Sequence, residues 1–168
     1  MNGIKKAILV TSFGTTYNEN RAKTIDALEA LVQESFPDWE VRRAFTSRMV
    51  IRRIMEREGL KVDYVSEAMQ RLALDGFEDV VIQPTHIMNG MEYDNVVRIA
   101  YSYEMVFRRL VIGKPLLTSE RDYDLAVEAI EYIFGQYVRK PRTALVLMGH
   151  GSEHYANATY SQLQMKLW

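Results

Sequence analysis

A chain of 168 residues has the size of one domain, or of one domain and part of another. Its 48% hydrophobic and 26% charged residues exclude a disordered chain, and its net charge of -1 excludes a protein whose whole surface binds a polyanion. Because there is no cysteine, disulfides, thiolate zinc sites, iron–sulfur clusters and cysteine nucleophiles are excluded as well. A transition metal would therefore need carboxylates or one of three histidines, which are His86, His150 and His154.

No apolar run in the sequence is long enough for a membrane span or for the core of a signal peptide. The run that follows Lys5 and Lys6 extends only from Ala7 to Val10. We therefore expect a cytoplasmic protein that binds neither a membrane nor nucleic acid.

Short apolar, β-branched runs alternate with longer segments of helical periodicity, a pattern typical of an α/β protein with a parallel sheet. The five predicted strands are Ala7–Thr11, Val41–Phe45, Val80–Gln83, Leu110–Ile112 and Ala144–Met148. The predicted helices cover residues 19–35, 48–58, 65–75, 95–107, 122–134 and 156–168. We expect these elements to form an open parallel sheet with helices on both faces.

The segment around the first predicted strand resembles the segment around the fifth. Residues 7–20 align with residues 144–157 without a gap, which places Phe13 at the position of His150. The similarity is either a chance resemblance between two strand–turn–helix units or the trace of a gene duplication. Duplication predicts a first α/β domain over residues 1–137, followed by the opening strand and helix of a second, similar domain over residues 138–168.

Three predicted strands are followed by polar side chains, and ligands of open α/β sheets bind at the carboxyl ends of strands. Ser12–Thr16 follow the first strand, Pro84–Tyr93 the third, and Gly149–His154 the fifth. The first turn either cradles an anion with backbone N–H groups or is simply a tight turn that needs its glycine. It lacks the glycine patterns of nucleotide-binding loops.

His150 lies between two glycines directly after a predicted buried strand. Because glycine adds no side-chain bulk, a large flat ligand or a metal with open positions could approach the imidazole. The alternative is a histidine that only forms a hydrogen bond within its turn. A GxSxG motif is missing, which argues against a serine hydrolase. His154, four residues further on, either shares the same face or is a solvated polar group.

His86 and Glu92 lie at the two ends of a loop centred on Asn89 and Gly90. A carboxylate beside a histidine at a sheet edge is suited to accept a proton or to hold a metal. The alternatives are a structural histidine and a carboxylate that only stabilises a helix N-terminus. Met88, in the same loop, either contacts an apolar ring or fills a gap.

A basic cluster with few compensating acids surrounds the second predicted strand and the helix after it. The cluster consists of Arg42, Arg43, Arg48, Arg52, Arg53, Arg57 and Lys61. It is either a solvated surface or a site for a ligand with several carboxylates or phosphates. DNA is disfavoured, because interleaved aromatic residues and a net positive charge are both missing.

Several strings in the sequence resemble the class II chelatases of the anaerobic cobalamin pathway, of the CbiK cobaltochelatase type. These strings are AILVTSFGTTY, RAFTSRMVIRRI, VIQPTHIMNGMEY, GKPLLTSERDY and VLMGHGSEHYANATY, and they run in order through nearly the whole chain. The resemblance implies two similar α/β domains that face each other across a cleft for a tetrapyrrole. It also implies that Co²⁺ is inserted into sirohydrochlorin, with Fe²⁺ or Ni²⁺ as further possible metals and with no organic cofactor.

The resemblance also implies roles for individual residues. His150 matches the metal-binding histidine of the family's MGHG string, Glu92 matches the active-site glutamate of the NGxEY string, and His86 matches the histidine before it. In the implied mechanism His150 holds the metal, while Glu92 and His86 accept the protons that leave the ring nitrogens. The family's second metal histidine and a further glutamate would lie beyond Trp168, so we expect the chain to contain only the start of the second domain.

The basic cluster would attract the peripheral carboxylates of the tetrapyrrole. The residues predicted to contact the substrate are Ser12, Phe13, Gly14, Thr15, Met88 and Asn89. Three alternatives stay open: a tetrapyrrole- or metal-binding module without turnover, an inactive fragment of a chelatase, and a phosphate-site enzyme that uses the first turn. A homo-oligomer is possible in each case, since part of a second domain would expose apolar surface.

Overall fold

The computed structural model describes residues 3–168 and has an α/β architecture. Four strands, β1 (Lys6–Ser12), β2 (Glu40–Phe45), β3 (Asp79–Pro84) and β4 (Arg109–Ile112), form one sheet in the order β2-β1-β3-β4. All three strand pairs are parallel. The predicted open parallel sheet and its first four strands are confirmed.

Helices occupy most of the remaining described chain. They are α1 (Asn18–Arg21), a π-helical turn (Ala22–Asp26), α2 (Ala27–Ser35), α3 (Arg48–Glu58), α4 (Val65–Leu74), α5 (Met91–Tyr101), α6 (Glu120–Val138), a 3-10 turn (Tyr155–Asn157) and α7 (Ala158–Leu167). Within residues 3–168, none of these helices combines the length and the apolar character that a bilayer crossing requires.

The chain packs into two compact units, which are described separately. The first contains the sheet and comprises the chain up to His86 together with Glu92–Lys114. The second comprises Ile87–Met91 and Pro115–Trp168. These are units of packing, and the predicted division into domains 1–137 and 138–168 stays a prediction.

The core of the first unit lies on both faces of the sheet, because the side chains of β1 alternate between them. Ala7 and Leu9 belong to an apolar cluster that α4 and α5 cover with residues such as Met69 and Val96. On the opposite face, Phe45 of β2 packs against Val50 and Ile54 of α3, together with Val62. Burial on both faces explains why β1 is a continuous apolar run. The prediction of helices on both faces is confirmed.

Helix α5 begins at Met91 and ends at Tyr101, whereas the sequence predicted residues 95–107. The earlier start places Glu92 in the first turn, where a negative charge is stabilised by the helix dipole. The loop that precedes the helix is therefore shorter than predicted, and Glu92 is held by regular helix geometry.

The predicted fifth strand, Ala144–Met148, is wrong, because this segment has no regular secondary structure. Val146 and Met148 are 83% and 95% exposed. A strand is held by backbone hydrogen bonds to a neighbouring strand, and none of the strands described over residues 3–168 pairs with this segment. Its apolar composition suits a buried strand, but composition does not reveal whether a neighbouring strand is present.

Candidate functional site

The carboxyl edge of the sheet holds the residues that follow β1, β2 and β3 side by side. The backbone N–H of Thr46 donates to the carbonyl of Ser12 at 2.9 Å, and the N–H of Thr85 donates to the carbonyl of Thr11 at 2.9 Å. These bonds continue the parallel ladder beyond the strands, so two of the three predicted polar strand ends do meet at one edge.

The residues directly after β1 differ in what they offer a ligand. Ser12 is buried, and its hydroxyl accepts a hydrogen bond from the Thr85 hydroxyl at 2.9 Å. Phe13 is 49% exposed. The aromatic ring is therefore open to a ligand, whereas the Ser12 hydroxyl is already engaged.

Gly14 and Thr15 shape this turn. Gly14 has a φ of +92°, and a Cβ at this position would lie 2.6 Å from the ring of Phe45. Both the backbone conformation and the space therefore require glycine. The Thr15 hydroxyl accepts a hydrogen bond from the backbone N–H of Tyr17 at 3.3 Å, which closes the turn before α1.

His86 and Glu92 lie at the same edge, within the first unit. Both nitrogens of the His86 ring are buried and have no hydrogen-bond partner among the described residues. Burial lowers the pKa of His86 below its ordinary value, and the negative charge of Glu92 opposes this shift. His86 is therefore neutral near pH 7, and Glu92, half-buried in the first turn of α5, lies close enough for its charge to reach the ring.

Tyr93 anchors the start of α5 to the end of β4. Its hydroxyl donates to the carbonyl of Gly113 at 3.1 Å. Burial raises the pKa of Tyr93, so the phenol keeps its proton and remains a donor. This bond fixes the helix turn that carries Glu92.

The predicted basic cluster is divided by the structure into neutralised and available members. Arg42 bonds to Glu40 at 2.8 Å and to Asp75 at 2.5 Å. Arg43 bonds to Glu29 at 2.5 Å and to a second carboxylate. The expectation of few compensating acids is therefore wrong for these two strand residues. Glu40 is close to Arg42 in β2, whereas Asp75 and Glu29 come from segments that are distant in sequence.

The arginines of α3 are much less neutralised. Arg48 is 67% exposed, lies 3.8 Å from the centre of the Tyr64 ring, and reaches Glu67 only at 4.0 Å. Arg52 is 71% exposed and 3.8 Å from Glu56. Exposed ion pairs of this length contribute little to stability, so these guanidinium groups can bind an anionic ligand at small cost.

In the second unit, His150 is exposed on the turn before the 3-10 turn. Its Nδ1 lies 2.5 Å from the carbonyl oxygen of Gly151. Because a carbonyl can only accept, this contact is a hydrogen bond when Nδ1 carries the hydrogen, and in that tautomer Nε2 keeps the lone pair that can bind a metal.

The structure explains why glycine occupies the two positions beside His150. Gly151 has a φ of +74°, which favours glycine. A Cβ at Gly149 would lie 2.2 Å from the ring of Tyr160 on α7, so glycine makes room for that ring. Besides leaving the imidazole open, these glycines shape the turn and pack it against α7.

The turn around His150 has the same geometry as the turn around Phe13. The bond between Thr15 and Tyr17 recurs between Ser152 and His154, where the hydroxyl accepts from the backbone N–H at 3.0 Å. A left-handed glycine occupies the equivalent position in both turns. The sequence alignment therefore extends to backbone conformation. His154 has a capping role, because its Nδ1 accepts from the N–H of Ala156 at 3.2 Å.

The predicted site residues are distributed over the two units. His86 and Glu92 belong to the first, whereas His150 and the half-buried Met88 and Asn89 belong to the second. Across residues 3–168 no group of three or more histidine and carboxylate side chains could hold a metal ion. His150 is thus a candidate metal ligand that belongs to no such group of three within the described chain.

Sequence reasoning passed over two buried hydroxyls at the sheet edge. Thr11 and Thr46 are buried, and neither hydroxyl has a partner among the residues that the structure describes. The signal that could have found them is a hydroxyl residue at the end of each apolar strand run.

Comparison with known proteins shows a close resemblance to chelatases. The family model described as cobalt chelatase (CbiK) matches residues 6–167. The sirohydrochlorin cobaltochelatase of Salmonella typhimurium is 41% identical over 160 residues, which cover 95% of this chain and 60% of that protein. The sirohydrochlorin cobaltochelatase CbiKC of Nitratidesulfovibrio vulgaris is 34% identical over 161 residues, covering 95% of this chain and 56% of that protein. The chain therefore spans less than two thirds of the length of these relatives.

A solved structure shares the fold. The crystal structure of a CbiX protein from Marinobacter aquaeolei VT8 matches with a TM-score of 0.52 at 14% identity, over 80% of this chain and 99% of that chain. At this identity the match concerns the fold alone. Since the family model covers nearly every residue, the chain belongs to the cobalt chelatase (CbiK) family.

Proposed function

We propose that the chain is the substrate-binding and metal-presenting part of a sirohydrochlorin cobaltochelatase, which inserts Co²⁺ into sirohydrochlorin for cobalamin biosynthesis. The observation that carries this proposal is the match of residues 6–167 to the cobalt chelatase family. Two relatives that align over 95% of the chain bear the name of this activity. The exposed His150, with its Nε2 free, supports the same function.

His150 binds the metal substrate through Nε2. Neutral imidazole is a good ligand for late first-row divalent ions, so Co²⁺ suits it, and Fe²⁺ or Ni²⁺ would be accepted by the same chemistry. An ion held by few protein ligands keeps open positions for the ring nitrogens of the tetrapyrrole. The hydrogen bond from Nδ1 to Gly151 supports this role, because it holds the ring in the tautomer that offers Nε2.

Glu92 accepts the protons that the divalent metal displaces from the ring nitrogens. It is half-buried at the sheet edge, on a helix turn that Tyr93 fixes. His86 assists Glu92 as a second, neutral base. Its ring nitrogens are buried, and burial lowers the pKa of the ring. A fixed carboxylate with a neutral base beside it is suited to general base catalysis.

The exposed arginines of α3 bind the peripheral carboxylates of sirohydrochlorin. Arg48 and Arg52 are the best candidates within the basic cluster. Their ion pairs are long and exposed, so their positive charges are available to a ligand. The exposure of the Phe13 ring supports a contact between this ring and the flat macrocycle. The cytoplasmic location and a homo-oligomer stay predictions.

The test is the absorption spectrum of sirohydrochlorin mixed with the full-length protein and Co²⁺. We expect the spectrum to change to that of the cobalt complex faster than without protein. His150→Ala should lose this rate enhancement, whereas His154→Asn, which keeps a capping side chain, should retain it. An unchanged spectrum with the full-length protein, or normal turnover by His150→Ala, would contradict the proposal.

The same experiment separates catalysis from binding alone. A module without turnover would bind sirohydrochlorin, seen as a shift of its spectrum on titration with protein, and would not accelerate metal insertion. Ni²⁺ and Fe²⁺ assayed in parallel would show which metals the site accepts.

A further inference from the structure

Polar side chains are buried without hydrogen-bond partners at the carboxyl edge of the sheet. Within the described chain, the hydroxyls of Thr11 and Thr46 and both ring nitrogens of His86 lack a partner. Thr11 is 0% exposed and Thr46 is 6% exposed. Buried polar groups are almost always paired, either with protein or with ordered water. Three such residues together indicate a small ligand that satisfies them.

The register of the sheet, continued past the strand ends by the backbone bonds of Thr46 and Thr85, indicates that these three residues share one face. Thr11 pairs with Ala44, two residues before Thr46, and also with Pro84, two residues before His86. Side chains two residues apart along an extended strand point to the same face. Thr46 and His86 therefore lie directly after the two strands that flank β1, each two residues beyond a partner of Thr11.

Two further contacts agree with this placement. The Thr85 hydroxyl bonds to Ser12, the residue after Thr11, so Thr85 points to the opposite face, which agrees with alternation if His86 points to the face of Thr11. The charge of Glu92, on α5, reaches His86. Helix α5 packs on the face that carries Leu9, the same face as Thr11.

We propose that Thr11, Thr46 and His86 line a buried water site beneath α5, in which one or two waters join the two hydroxyls to the imidazole and hold His86 in one orientation behind Glu92. Water fits the donor and acceptor set, because a hydroxyl both donates and accepts and a neutral imidazole has one nitrogen of each kind. A metal ion is disfavoured, since these three side chains include no carboxylate. An anion is disfavoured because they include no cation.

In this arrangement Thr11 and Thr46 are positioning residues for His86. The hydrogen bonds that the waters provide would determine which ring nitrogen carries the proton. The inference rests on the first unit alone and does not depend on the proposed function.

The experiment counts long-lived internal waters by ¹⁷O magnetic relaxation dispersion and reads the His86 tautomer from its ¹⁵N chemical shifts in the full-length protein. Thr11→Val and Thr46→Val keep the side-chain shape and remove the hydroxyl. Each should remove one or two long-lived waters and shift the His86 nitrogen signals. Thr85→Val is the matched control, because it removes a neighbouring hydroxyl on the other face and should leave both readouts unchanged.

Thr11→Ser, which retains the hydroxyl, should keep the waters and the His86 signals, and it covers the case in which Thr11→Val does not fold. An unchanged water count with unchanged His86 signals in both valine variants would overturn the proposal. A loss of long-lived waters in Thr85→Val equal to that in the other two valine variants would also overturn the proposal.

Discussion

The turn after β1 and the turn around His150 have the same local geometry in different surroundings. In both, a left-handed glycine is followed by a hydroxyl residue that accepts from the N–H two positions on. The segment before the first turn is a strand buried between two neighbours, whereas Ala144–Met148 is irregular and largely exposed. The turns are set by local chemistry, while the strand depends on neighbouring backbone.

The first way to test this difference is backbone hydrogen exchange in the 168-residue chain. Amides of β1 such as Leu9 should exchange at least about 10³-fold more slowly than amides of 145–148, since opening β1 requires much of the first unit to unfold. Mass spectrometry of peptides from the two segments measures the ratio. Comparable protection in both would show that Ala144–Met148 is paired after all.

Alanine substitutions at Gly14 and Gly151, the left-handed glycines of the two turns, separate the cost of backbone strain from the cost of a side-chain clash. Gly14→Ala should destabilise the protein by about 3 kcal/mol, because the left-handed backbone is strained and the new methyl group meets the Phe45 ring. Gly151→Ala should cost about 1 kcal/mol, since a Cβ there would meet nothing within 4 Å and backbone strain alone remains.

Urea unfolding, followed by circular dichroism, measures both changes in the free energy of unfolding. Equal costs for the two variants would mean that the Phe45 contact does not distinguish the turns.

The hydroxyls that close the turns should have similar effects. Thr15→Ala and Ser152→Ala each remove one local hydrogen bond, so each should cost about 1 kcal/mol or less. The measurement is the same urea titration, with Thr15→Ser and Ser152→Thr as controls that retain the bond. A cost confined to one of the two turns would break the equivalence that their geometry suggests.

The smallest expected effect is a pH dependence that arises from His86. Its pKa is lowered in the folded protein, chiefly by burial, so the neutral ring favours folding. This contribution is complete above the unfolded pKa of about 6.5 and is lost as the pH falls below it. Unfolding titrations at pH 7.5 and 5.5 should show a smaller decline for His86→Asn than for the unchanged protein. His150→Asn is the control, and a matching reduction in that variant would contradict the assignment.

Much of the sheet could be predicted from sequence because its strands combine apolar, β-branched residues with burial on both faces. The ends of β1 to β4 all fall within one residue of the prediction. The start of α5 was missed by four residues, since Asn89 and Gly90 are typical of a longer loop. Ala144–Met148 was predicted as a strand because its composition matches that of β1.

The location of the candidate site could be predicted from the sequence, whereas its ion pairs and the burial of individual side-chain atoms could not. His86 and Glu92 share an edge as their positions after β3 suggested. The pairing of Arg42 with Asp75 joins residues 33 positions apart, so the sequence does not show which arginines are neutralised. The inward direction of the His86 nitrogens likewise depends on how the ring packs in three dimensions.

Because the Tyr160 ring of α7 lies close to Gly149, the position of His150 depends on how α7 packs against α6. Lys166 of α7 bonds to Glu120 and Asp124 of α6 at 2.8 and 2.7 Å, so α7 is braced along α6. The Tyr160 ring lies directly against the backbone one residue before the imidazole. A sideways shift of α7 would therefore move the backbone at Gly149 and, with it, the His150 side chain. If His150 holds a metal as proposed, the alignment of that metal would depend on the packing of α7 against α6 as well as on the turn itself.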